Sequence, residues 1–115
     1  MLFIGTSGFQ YDDWVGPYYP EGLPKKDWLS FYAQEFNTLE INFSYYRMPT
    51  ARTLAGMANK VPADFVFTIK ATQEMTHARE RDAKLFQQFT NALTPLIETN
   101  KFGAVLAQFP SLFRA

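Results

Sequence analysis

Apolar residues gather in four short runs along this chain, each bordered by turn-forming or polar residues. They are Leu2-Phe3-Ile4-Gly5, Thr38-Leu39-Glu40-Ile41-Asn42, Phe65-Val66-Phe67-Thr68-Ile69-Lys70 and Ala104-Val105-Leu106-Ala107-Gln108. Their β-branched, aromatic and aliphatic content predicts strands. Between them the apolar spacing changes to three and four, the period of a helix. Asp27 can cap a helix running to Phe36, with Trp28, Tyr32 and Phe36 on one face. Thr50 can cap a second, carrying Leu54, Met57 and Ala58. A third starts near Glu80 and carries Leu85, Phe86, Phe89, Leu93, Leu96 and Ile97. Pro95 predicts a kink or break just before it, because proline lacks the N–H a helix interior needs.

Strands alternating with helices predict βαβ units and a parallel sheet, so the fold class is α/β. One connection is unusual. Residues 6–26 show little periodicity but much Gly, Pro and aromatic character, including Tyr11, Trp14, Tyr18 and Tyr19. Connections of this length are functional or disordered in most proteins, and the aromatics argue for order.

Side chains alternate across a strand, which sorts the polar residues. Leu39 and Ile41 face one way, Glu40 and Asn42 the other. Phe65, Phe67 and Ile69 face one way, Val66, Thr68 and Lys70 the other. Ala104, Leu106 and Gln108 share a face. The polar face therefore ends in Glu40, Asn42, Lys70 and Gln108, near the carboxyl ends of their strands. Parallel α/β folds bind ligands at those ends.

Two readings stand for Glu40 and Lys70. Buried charges must be paired, so they can form a structural ion pair. Alternatively Lys70 holds an anion or acts as an acid, and Glu40 acts as a base or metal ligand. Asn42 and Gln108 would orient a ligand by hydrogen bonds, or satisfy loop backbone. The turn Gly5-Thr6-Ser7-Gly8 could aim backbone N–H groups at an anion, making Thr6 and Ser7 binding candidates, or be a plain tight turn. Ser7 has no evident triad partners. His77 is the sole histidine, close to Thr76, Arg79 and Arg81. It can serve as a proton donor or phosphate contact, or be a loop residue. Tyr45, Tyr46 and Arg47, with Tyr11 and Trp14, can form a wall that stacks a base or sugar, or can pack the long loop.

Composition narrows the picture without naming a reaction. The chain has 115 residues, 47% of them hydrophobic, which is enough for a core. Eleven basic residues balance eleven acidic ones, so a polybasic binder is excluded as a whole-chain description, though a local basic patch is not. There is no Cys, which removes disulfides, zinc ribbons and thiol nucleophiles. A single histidine weakens the case for a divalent metal. No apolar run reaches the roughly 18 residues of a membrane span, and the expected location is the cytoplasm.

The ordered motifs resemble a known family. Ile4-Gly5-Thr6-Ser7-Gly8 with Tyr11, Trp14 and Tyr19-Pro20 resembles the opening of the YecE-like family, domain of unknown function 72. So do Leu39-Glu40-Ile41-Asn42 with Tyr46-Arg47 and Pro49, Phe65 and Phe67 before Lys70-Ala71, Thr76-His77, and Gln108-Phe109-Pro110. Phe9 and Ser111 depart from the family pattern, which commonly has Trp and Pro there. The resemblance implies a TIM-type (β/α) barrel whose polar positions correspond to Glu40, Asn42, Lys70, His77 and Gln108. It implies no established reaction. Fold analogy to metal-dependent barrels leaves a divalent metal and a nucleic-acid-like ligand open.

Such barrels run to about 250 residues, so residues 1–115 are expected to form a single, incomplete barrel domain of about four strands. Three functions follow as expectations. The first is an enzyme acting on a phosphorylated or nucleic-acid-like substrate. The second is a non-catalytic module binding the same class of small molecule. The third is an inactive half barrel that self-associates or pairs with a complementary half.

Overall fold

The computed structural model describes residues 2–73, 75 and 83–106. Four strands form one parallel sheet in the order β1-β2-β3-β4. They are β1 (Gly5–Ser7), β2 (Thr38–Ile41), β3 (Val66–Lys70) and β4 (Phe102–Leu106). Each strand pairs with the next in sequence, so every crossover is a nearest-neighbour step. The helices are α1 (Trp28–Tyr32), α2 (Ala51–Ala58), α3 (Ala83–Ala92) and α4 (Thr94–Glu98).

Register fixes which side chains share a face. Ser7 lies beside Glu40, Glu40 beside Thr68, and Thr68 beside Ala104. Lys70, beside Leu106, is the next residue along this inward face of β3. The opposite face carries Leu39, Ile41, Phe67 and Ile69, all nearly inaccessible. They form a core with Trp28, Tyr32, Leu54, Phe89 and Leu96 from the helices. The alternation predicted for β2 and β3 is therefore the observed one.

One helix end differs from expectation and two agree. Asp27 is not a side-chain cap. It closes a 3-10 turn over Lys25–Asp27, entered after Pro24, which leads directly into α1. Proline's fixed φ sets the entry that a capping carboxylate would otherwise set. Thr50 does cap α2: its hydroxyl accepts from the Thr53 N–H at 3.2 Å. The break before Pro95 appears as the boundary between α3 and α4. Of the predicted third-helix face, Phe89, Leu93 and Leu96 are buried, while Phe86 and Ile97 are exposed.

The first strand is shifted relative to its apolar run. Residues 2–4 precede the ladder, and the Asn37 side chain clamps them instead. It accepts from the Ile4 N–H at 2.8 Å and donates to the Leu2 carbonyl at 2.9 Å. Gly5 then lets β1 close on β2, since a Cβ there would sit 1.9 Å from the Thr38 carbonyl oxygen.

The long connection is ordered by its aromatics. Tyr19 is fully buried and stacks on Trp28 with ring centres 4.6 Å apart. Trp14 packs against Tyr11, Tyr18 and Tyr19. Tyr11 and Trp14 thus pack the loop against itself.

Candidate functional site

The inward face ends in an ion pair. Lys70 Nζ lies 3.8 Å from Glu40 Oε1, with both side chains about three-quarters buried at 21% and 27% exposure. Strand alternation aims both the same way, and pairing of β2 with β3 brings them together. The Tyr45 ring lies beside Lys70, 5.5 Å from Nζ to the ring centre, where its negative face favours the cation. At 3.8 Å the pair compensates charge without a close hydrogen bond, so donors on Nζ remain for a further acceptor.

Backbone anchors hold this corner. The buried Ser44 hydroxyl, in the 3-10 turn after β2, donates to the Lys70 carbonyl at 2.5 Å. That bond ties the turn carrying Tyr45 to the end of β3. The sequence reading missed Ser44, because nothing in Phe43-Ser44-Tyr45 marks which strand end the turn will touch. Lys101 plays a comparable structural part. Its ammonium donates to the Ala58 carbonyl at 2.6 Å, satisfying the carboxyl end of α2.

Asn42 and Ser7 meet at the neighbouring strand ends. The Asn42 amide approaches the Ser7 hydroxyl at 3.5 Å, and the Tyr11 hydroxyl donates to the Ser7 carbonyl at 2.5 Å. Gly8 makes this approach feasible: its φ is +78°, and a Cβ would lie 2.5 Å from the Tyr11 hydroxyl oxygen. A cavity of about 150 Å³ opens here, bordered by Gly8, Gln10, Tyr11, Glu40, Asn42 and Phe43.

Thr6 is placed differently. It pairs with Leu39, so it shares the core-facing side of the sheet. Its hydroxyl lies 2.7 Å from the Gly8 carbonyl and 3.0 Å from the Tyr32 hydroxyl, and its N–H donates to that hydroxyl. The Gly8 N–H donates to the Glu40 carbonyl. Two of the turn's N–H groups are therefore engaged inside the protein rather than aimed at an anion.

Tyr46 packs edge-on against Tyr45, with ring centres 5.0 Å apart. Tyr46 is 82% exposed, and the Arg47 guanidinium lies over the Phe43 ring at 5.8 Å. His77, with Thr76, Arg79 and Arg81, and Gln108 lie outside the described residues. Among the described residues no three His, Cys, Asp or Glu side chains cluster to hold a metal ion. No helix among them is long and apolar enough to cross a membrane.

Four parallel strands with intervening helices, and a charged pair near the sheet's carboxyl edge, place the chain in the α/β class. Residues 3–115 match the family model described as "Protein of unknown function DUF72", and the chain belongs to that family. It is 32% identical over 119 residues to UPF0759 protein YunF of Bacillus subtilis, spanning 98% of this chain and 41% of that protein. A DUF72 family protein (TM1631) of Thermotoga maritima matches with a TM-score of 0.85 and 37% identity, over 100% of this chain and 46% of that one. A DUF72 family protein (EF0366) of Enterococcus faecalis matches with a TM-score of 0.69 and 26% identity, over 76% of this chain and 37% of that one. The chain thus spans less than half the length of these relatives.

Proposed function

We propose that the carboxyl edge of the sheet binds a small phosphorylated ligand, with Lys70 as its cation. The observation carrying this reading is the Lys70–Glu40 pair, held on the inward face at a separation that leaves ammonium donors open. Asn42 and Ser7 supply neutral hydrogen-bonding groups beside it. Glu40 balances the charge of the ammonium and orients it, and in an enzyme would take up or deliver a proton or hold a divalent metal. Such a metal would need donors beyond the described residues. His77 and Gln108 join this proposal on the family resemblance alone. A cytoplasmic location also belongs to it.

We also infer that the four strands are one half of a TIM-type (β/α) barrel. Supporting this are the sequential parallel order and the match along the whole chain to less than half of a longer relative. Activity then belongs to the closed barrel, while the present half supplies one wall of the mouth.

Inorganic phosphate and ribose 5-phosphate are suitable probes. Each is expected to raise the melting temperature of the unsubstituted chain, as any ligand of the native state does. Lys70→Met should abolish the rise, and Glu40→Gln should weaken it. Equal rises in the unsubstituted and Lys70→Met chains would sink this reading. Release of inorganic phosphate from the sugar phosphate would mark an enzyme; a rise without product would mark a binding module.

A further inference from the structure

A second, larger concavity lies on the outer side of the sheet, between α1 and α2. It is a groove of about 500 Å³ whose rim carries Lys25, Lys26, Arg47, Arg52 and Lys60 and no carboxylate. The chain as a whole is neutral, with eleven basic residues in total. Nearly half of its cations therefore border one groove. Two carboxylates, Glu35 and Asp64, border a separate depression with Leu2, Asn37 and Pro62. Lys25 is paired with Asp12 at 3.2 Å. No carboxylate among the described residues lies within ion-pair distance of Lys26, Arg47, Arg52 or Lys60. A concentration of like charge is costly unless something neutralises it.

We infer that this groove binds single-stranded nucleic acid by its phosphate backbone. Spacing favours a chain of phosphates over one. Arg52 and Lys60 are eight residues apart along α2 and its carboxyl end, about 12 Å at helical rise, which spreads positive charge along the groove. Gly56 lies midway between them, and a Cβ there would meet nothing within 4 Å. The centre of the stripe is therefore open. The groove floor includes Leu29, Phe43 and Met57, giving sugars and bases an apolar surface that a purely inorganic chain would not use.

The groove is distinct from the phosphate mouth but adjoins it. The two concavities share Phe9, Gln10, Phe43 and Met57, while Lys26, Arg52 and Lys60 border only the groove. A strand lying between α1 and α2 would lead toward Glu40 and Asn42. The inference does not require Lys70 to bind anything.

Fluorescence anisotropy with a labelled oligothymidylate tests it, using the full chain across a salt series. Binding should weaken with salt by about 0.7 logarithmic units per phosphate neutralised. The triple variant Lys26→Glu, Arg52→Glu, Lys60→Glu should bind at least tenfold more weakly. Its salt slope should be shallower by about 2. All three side chains are exposed, so the fold should persist, as near-ultraviolet circular dichroism can verify. Gly56→Leu offers a charge-neutral check: it fills the groove and should also weaken binding. The triple variant should keep the phosphate-induced rise in melting temperature, because Lys26, Arg52 and Lys60 border only the groove, which separates failure here from failure at the mouth. Three results would overturn the inference: no binding at low salt, binding insensitive to the triple variant, or displacement by inorganic polyphosphate as readily as by unlabelled oligonucleotide. Capture by vesicles of anionic lipid with no oligonucleotide binding would overturn it too.

Discussion

Tyr18 and Tyr19 are adjacent in sequence, yet their hydroxyls meet opposite fates. The Tyr19 hydroxyl donates to the Phe9 carbonyl at 2.6 Å in the core. The Tyr18 hydroxyl is buried with no hydrogen-bond partner among the described residues. Burial, with Glu35 nearby, pushes its pKa up to about 12. A buried donor without a partner loses its hydration and gains nothing back, whereas removing one member of a buried bond costs about 1–3 kcal/mol. Tyr18→Phe is therefore expected to leave stability unchanged or raise it by up to about 1 kcal/mol. Tyr19→Phe should lower it by about 1–3 kcal/mol. Urea denaturation of both variants checks the order, and the reverse ranking would refute it. Sequence pattern marked both tyrosines as ordered loop aromatics. It could not say which hydroxyl would find a carbonyl, because Phe9 is ten residues from Tyr19 and is brought near by the loop's own fold.

At the scale of single elements, local chemistry was legible where its partner is local. Thr50 caps α2 through a residue three positions away, and Pro95 breaks its helix through its own backbone. Asp27 failed as a cap because Pro24, three residues upstream, starts a 3-10 turn first. The shifted start of β1 depends on Asn37, over thirty residues distant, so no local pattern could show it. Gly8 joins the two kinds of case. Its small size was visible in sequence, but its purpose depends on Tyr11 and Asn42 closing around it. Gly8→Ala should cost about 1–3 kcal/mol from the positive φ. It should also release Tyr11 from Ser7, seen as faster amide exchange in the loop after β1. Unchanged exchange and an unchanged melting temperature would contradict this account.

For the molecule as a whole, the sheet's edges and the face carrying Lys70 are where apolar surface stands open. Among the described residues, Leu106 on that face is 41% exposed, and β1 and β4 are the sheet's two edges. Unpaired strand edges beside apolar surface promote pairing with another chain. The purified chain is expected to self-associate, giving a light-scattering mass at least twice that of one chain. A monodisperse monomer that melts cooperatively would contradict this.

Residue order alone specified the parallel α/β class, the face each side chain of β2 and β3 takes, and the set Glu40, Asn42 and Lys70 at one end. These follow from periodicities two to four residues long, which the backbone imposes wherever the strand or helix forms. Folding in three dimensions settled matters of distance. It brought Lys70 to Glu40, turned Thr6 toward Tyr32, and tied Ser44 to the end of β3. It also gathered Lys25, Lys26, Arg47, Arg52 and Lys60 around one groove. Such charges are scattered along a neutral chain, and only the folded placement of α1, α2 and the loops before them turns them into a surface.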